Sequence, residues 1–202
     1  MSADAVTETH QEPIDLLTAT EGVSAAPTRW EYVEEMAVLP ALPDHRHNKG
    51  AFKLAAQLDS AGLLSGMGNG YRAADKDGRT ESLVVPDFYA LHREPTGLDE
   101  SYRTARQGWY PIDMVALVGE VTSLYPEGDT GPKLRSYAAA GVPIYVLINR
   151  NTKTAHCYTA PVLPGDDPKE AYYDAESKVS LGNPLALPAP YPTLDTAPFL
   201  ED

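Results

Sequence analysis

The sequence predicts an α/β protein, a central mixed β-sheet flanked by helices, and three observations carry that expectation. Two near-continuous apolar runs, "DMVALVGEVTS" (113–123) and "VPIYVLINR" (142–150), read as strands covered on both faces. Between them lies a helix-forming stretch with Pro132 in its first turn and Gly141 at its end. Directly after the second run, "KTAHCYTA" (153–160) doubles back across "NRNT" as a hairpin. Strand, helix and strand in tight succession imply a right-handed βαβ unit with parallel strands, to which the hairpin adds an antiparallel neighbour.

The remaining elements follow in chain order. Residues 1–28, rich in Ala, Thr, Glu and Pro without sustained periodicity, read as a disordered acidic tail, leaving 29–202 for one domain. "TRWEYVEEMAVLPAL" (28–42) fits strand alternation through Trp30, Tyr32, Met36 and Val38, and helical spacing through Trp30, Val33 and Met36. "HNKGAFKLAAQLDSAG" (47–62) puts Ala51, Leu54, Ala55 and Leu58 on one helical face, with Gly62 as its stop. "ESLVVPDFYALHRE" (81–94) reads as a strand that is at an edge, bulged or interrupted at Pro86, which offers no ladder N–H. The turn-rich segment 95–111 is expected to be a loop. The helix before Gly141 starts at about Asp129 or Thr130, and the Pro-rich remainder after 160 holds a few short strands at most.

Composition narrows the function. No run approaches the roughly 18 apolar residues of a membrane span, and the N-terminus has neither the basic nor the apolar region of a secretory signal. Cys157 is the only cysteine, so neither an internal disulfide nor a thiolate metal cluster is available. A cytoplasmic protein is the default expectation. The net charge of −13 argues against a polyanion partner at face value. The acids concentrate at the ends, however: residues 1–28 carry −5, residues 166–202 carry −6, and 29–165 only −2. Nucleic acid stays open as a partner, although no basic patch advertises it. There is no GxxxxGK[ST] loop and no GxSxG elbow.

The polar groups that interrupt the apolar runs are the candidates for chemistry. Asp87 follows "LVVP" and Glu120 ends "MVALVG". If their strands are neighbours, both carboxylates project from one region of the sheet, and converging carboxylate oxygens with water suit a hard divalent ion such as Mg²⁺. Lys133, on the helix after the Glu120 strand, could stabilise an anionic phosphorane. Asp129 is placed to cap that helix or to pair with Lys133, and Tyr137 lies one turn beyond. Each has a plainer reading: a solvated strand-end acid, a surface lysine, a cap, a packed tyrosine. A structural Glu120–Lys133 ion pair would also relieve the cost of burying a carboxylate. His45, His47, His92 and His156 show no ligand spacing.

"VVPDFYAL", "VALVGEVTS" and "GDTGPKLRSYAAAGVPIYVLINR", in that order, resemble the Uma2 family of restriction endonuclease-like proteins, within the PD-(D/E)xK nuclease superfamily. The family pattern is Pro-Asp opening a strand, an apolar strand closing on Glu-Val-x-Ser, then Asp and Lys leading into a helix that runs Tyr-x-x-x-Gly-Val/Ile-Pro-x-Tyr. Pro86-Asp87, Glu120 to Ser123, Asp129, Lys133, Tyr137, Gly141-Val142-Pro143 and Tyr145 supply it over about 84–160. The resemblance implies a restriction endonuclease-like fold and an Mg²⁺- or Mn²⁺-dependent phosphodiesterase, with Asp87 and Glu120 as metal ligands and Lys133 as the catalytic lysine. Glu31 resembles the family's early strand glutamate and His47 a family histidine. Three positions depart from the pattern: Thr122 stands where the parent motif has lysine, Glu35 where a glycine is expected, and Asn149-Arg150 where an Asp usually follows the strand.

Three functional expectations result. The first is a metal-dependent endonuclease acting on nucleic acid, with DNA the expected substrate. The second is a binding or regulatory module that keeps the fold without the activity, which Thr122 and the scarcity of bases suit. The third, compatible with both, is a homodimer that uses the apolar C-terminal segment "PLALPAPYPTLDTAPF" as an arm.

Overall fold

The structure is a computed structural model that describes residues 12–21, 29–122 and 127–200, the Glu127 side chain excepted. Helix α1 (Pro13–Glu21) falls inside the stretch expected to lack order. Ile14 and Leu17, on one side of the helix, are buried and seat it against Leu83 and Trp109. Strands β1 (Glu31–Val33) and β2 (Met36–Val38) resolve the ambiguous 28–42 stretch as a hairpin. It turns on Glu34 and Glu35, both left-handed at φ 48° and 67°. A two-residue hairpin needs that geometry, and glycine usually supplies it. Here Arg135 holds Glu34 at 2.5 Å and Lys169 holds Glu35 at 2.6 Å.

Helix α2 (His45–Ser60) begins on Asp44, whose carboxylate accepts the His47 N–H at 2.8 Å. It buries the predicted Ala51, Leu54, Ala55 and Leu58 stripe. After β3 (Leu64–Gly66) and β4 (Gly70–Ala74), the stretch 81–94 divides at Pro86. Strand β5 (Thr80–Val84) lies in one sheet and β6 (Phe88–Leu91) in the other. A residue without an N–H ends one ladder and frees the chain to enter the next.

The stretch 95–111, expected to be a loop, forms helix α3 (Gly97–Ala105) and strand β7 (Trp109–Pro111). A capping box between Thr96 and Asp99 starts the helix. Strand β8 (Val115–Val121), buried throughout, then leads to α4 (Glu127–Thr130), α5 (Pro132–Ala139) and β9 (Ile144–Asn149). The expected single helix is thus two, and the N-cap of α5 is Gly131, so Asp129 does not cap it. Strands β8 and β9 are parallel, as the βαβ reading requires, and β10 (Thr154–Val162) is the expected antiparallel partner of β9. The turn between them closes on Asn149, whose side-chain oxygen accepts the N–H groups of Asn151 and Thr152. Strand β11 (Tyr172–Ser180) is longer than the short strands expected after 160, pairing with β10 along its length.

A five-stranded sheet lies beside the expected mixed sheet, which is the six-stranded one that holds β8, β9 and β10. Their strand orders are β2-β1-β5-β4-β7 and β11-β10-β9-β8-β6-β3. One face of the second sheet packs on α2 through Phe88, Leu117, Val121, Ile144 and Val146. Its other face meets α5 and the first sheet through Val118, Tyr137, Tyr145, Val33 and Val84. The C-terminal segment, expected to reach out as an arm, instead folds onto its own chain. Leu185 and Leu194 bond each other's backbone at 2.9 Å, Gln57 of α2 binds the Asp195 backbone, and Phe199 packs so close to Gly50 that a Cβ there would enter its ring. No helix among the described residues is long and apolar enough to cross a membrane.

Candidate active site

The pairing of β6 with β8 decides where the two strand-end acids go. Phe88 lies opposite Gly119 in an antiparallel register. Asp87 precedes the one and Glu120 follows the other, so the two carboxylates leave adjacent strands at the same level. Gly119 is required for this fit, because any Cβ there would overlap the Phe88 ring. Asp87 is fixed by Oδ2, which accepts the Val121 N–H at 2.7 Å and lies 3.1 Å from His47 Nε2. His47 reaches it from the first turn of α2, and its contact with Asp87 more than offsets the effect of burial, holding the imidazole above its ordinary pKa.

Glu120 is 2 % exposed on the α5 side of β8. Lys133 Nζ sits 3.2 Å from both of its oxygens, 2.9 Å from Glu31 Oε2 and 3.9 Å from Asp129 Oδ1. Tyr137, one turn on from Lys133, donates its hydroxyl to Glu120 Oε1 at 2.8 Å. Glu31 comes from the other sheet, where its Oε1 accepts the Val85 N–H at 2.7 Å. Tyr145 donates to the Asp129 carbonyl at 2.7 Å and anchors α4. All seven residues singled out in the sequence therefore gather in one region: Asp87, Glu120 and Lys133 with Glu31, His47, Asp129 and Tyr137 around them. Ser123 of the quoted motif lies outside the described residues.

The electrostatics follow from one ammonium set among several carboxylates. Burial pushes Glu120 well above the ordinary carboxyl range; Lys133 draws it back, while Asp87, Asp129 and Glu31 add to the rise. Burial likewise lifts Asp129 to about 6. Burial opposes the charge on Lys133, but Glu120, Glu31 and Asp129 overcome it and hold the ammonium well above its usual value. Tyr137 is raised by burial and then by Glu120, so it remains a phenol that donates.

Thr122, at the position of the parent motif's lysine, is fully buried and turned into the β8–β9 junction, where its Oγ1 accepts the Arg150 N–H at 2.9 Å. The ammonium reaches Glu120 from helix α5 instead. No group of three or more His, Cys, Asp or Glu side chains among the described residues is arranged to hold a metal ion. Asp87 and Glu120 nevertheless match the hard oxygen donors that Mg²⁺ takes, one or two carboxylates with water completing the shell.

Glu31, His47, Asp87, Glu120, Asp129 and Lys133 line a cleft of about 650 Å³ together with a wall formed by the run from Val38 to Pro43, which begins beside Glu31 in the β1–β2 hairpin. Arg29 also lines it, its guanidinium 3.8 Å from the Trp109 ring centre. Neither Arg29 nor the wall was singled out in the sequence. The signal for the wall was present in "MAVLPALP", an apolar run too short and proline-broken for a core strand.

The family model "Uma2: Putative restriction endonuclease" matches residues 16–188. The chain belongs to the Uma2 family. A solved structure described as "a putative nuclease belonging to DUF820" from Anabaena variabilis shares the fold with a TM-score of 0.56 and 12 % identity, over 91 % of this chain and 96 % of that one. No curated protein matches the sequence. Membership in Uma2, whose model is described as a "Putative restriction endonuclease", supports a nuclease.

Proposed function

We propose that this Uma2 protein is a cytoplasmic Mg²⁺- or Mn²⁺-dependent endonuclease that hydrolyses phosphodiester bonds, with DNA as the substrate. The observation that carries the reading is the Phe88–Gly119 register, which puts Asp87 and Glu120 side by side with an ammonium within 3.2 Å of Glu120. Asp87 and Glu120 are the residues to hold the ion, which when bound polarises the phosphate and acidifies a water. Lys133 keeps its proton, so it serves as a fixed positive charge for the developing phosphorane and is unsuited to act as a general base. Glu31 holds Lys133 from the far side, Tyr137 orients Glu120, and His47 orients Asp87.

The test is Mn²⁺-dependent cleavage of labelled DNA and RNA. Asp87→Asn and Glu120→Gln are each expected to lower the rate at least about a hundredfold, the scale on which loss of a preorganised charge is felt. Absence of cleavage by the wild-type protein, or equal cleavage by the double variant, would sink the proposal. The second reading, an inactive module, is favoured by the buried Thr122 and by the ion pair that already satisfies Glu120. Calorimetric titration with Mn²⁺ separates the two, since a structural ion pair alone predicts no binding. A homodimer, with the C-terminal segment at its contact or elsewhere, would be detected by light scattering on the eluting protein.

A further inference from the structure

We infer that the cleft takes an unpaired nucleic-acid strand, with exposed bases packed on the wall formed by residues 38–43 while one phosphate lies against the acids; this rests on the nuclease reading above. The wall is apolar along its whole length, and Val38, Leu39 and Leu42 are 36 %, 45 % and 75 % exposed. It is contiguous with the site, because the same cleft is lined by Leu39, Leu42, Asp87, Glu120 and Lys133. A run of exposed apolar side chains that shares one cleft with charged groups marks a surface built for contact.

Charge decides between a duplex and a single strand. Duplex binding draws its affinity from many Lys and Arg contacts to backbone phosphates, with the bases hidden in the stack. The cleft offers Arg29, Lys133 and His47 against Glu31, Asp87, Glu120 and Asp129, and Lys133 is already engaged by Glu31 and Glu120, His47 by Asp87. Among the described residues that line the cleft, a second phosphate has little to bind. An unpaired strand instead presents base faces, whose apolar area gains by leaving water for the aliphatic wall, with little regard to sequence. Strand β2, which opens the wall, is the edge of its sheet, so nothing in that ladder covers its outer side. Pro40 and Pro43, which follow this strand, carry no N–H and keep a ladder from extending along the wall.

The experiment uses wild-type protein with Ca²⁺ replacing Mg²⁺, and reads fluorescence anisotropy of one labelled oligonucleotide, alone and annealed to its complement. The single strand is expected to bind at least about tenfold more tightly, and Leu39→Ser with Leu42→Ser to remove about that factor while duplex affinity stays unchanged. Leu42→Ser alone, at the most exposed position, serves if the double variant does not fold. Equal affinity for both forms, or unchanged single-strand affinity in the variants, overturns the inference. If the substitutions instead convert a dimer to a monomer without moving oligonucleotide affinity, the wall is a contact between copies and the inference is likewise overturned. A single-strand preference lost in the variants, from a protein that cuts nothing in Mn²⁺, would uphold the inference while removing the nuclease reading.

Discussion

Lys133 is the residue through which the site's charges are balanced. Its ammonium is buried and within 3.9 Å of Glu31, Glu120 and Asp129, which come from β1, β8 and α4. Removing one partner from such a set leaves the others buried without compensation. Lys133→Met is therefore expected to cost about 3–5 kcal/mol in urea unfolding, and adding Glu120→Gln to the same chain to return part of that. If the second change deepened the loss, the charge account would be wrong. Asp129 gives a pH signature. Its folded value of about 6 lies above the ordinary 3.8. Between the two the folded chain holds a proton that the unfolded chain has lost, so this group's stabilising contribution is present at low pH and disappears as pH rises through 6. In metal-free protein, Asp129→Asn is expected to stabilise by about 1–3 kcal/mol above pH 7 and by much less below pH 4. Thermal melts across that range would show it, and a gain independent of pH would refute the cause.

At the scale of elements, Gly119 is the position on which the juxtaposition of Asp87 and Glu120 turns. Gly119→Ala drives a methyl into the Phe88 ring. The expected result is a loss of about 1–3 kcal/mol, the usual cost of overpacking a core, together with a fall in metal-dependent activity larger than that of Gly62→Ala. Circular dichroism melts and cleavage assays on the two variants would check it. The strands around this glycine were legible in the sequence because β8 and β9 are buried on both faces, and α5 because Pro132 and Gly141 punctuate it. Other elements were not. Helix α3 fully buries only Asp99, so its capping box had no apolar stripe behind it. Most of β11 is exposed, which leaves "YYDAESKVS" without a two-residue hydrophobic period. The pairing of Asp87 with Glu120 could be stated only conditionally, since strand adjacency is a tertiary fact. That Lys133 also bonds Glu31 was beyond spacing arguments, because about a hundred residues separate the helix that carries the one from the strand that carries the other.

For the whole molecule, the feature with the widest reach is the division of the site's parts between two sheets. Glu31 is anchored in the first through Val85, and Glu120 and Asp87 belong to the second, with Pro86 at the crossing. Mutual repulsion among these acids works against the closed arrangement, with Lys133 the principal counterweight. A bound divalent ion would change that balance. Mn²⁺ at a hundred times its dissociation constant is expected to stabilise the fold by about 2.7 kcal/mol, and Asp87→Asn to abolish the gain while keeping the metal-free melting point within a few degrees. Differential scanning fluorimetry with and without EDTA would decide. The cation would then act as a keystone at the lip of the second sheet, relieving the repulsion between Asp87 and Glu120, while the two layers stay fastened by the apolar core of Val33, Val84, Val118 and Tyr145; a starved molecule would loosen at that lip first.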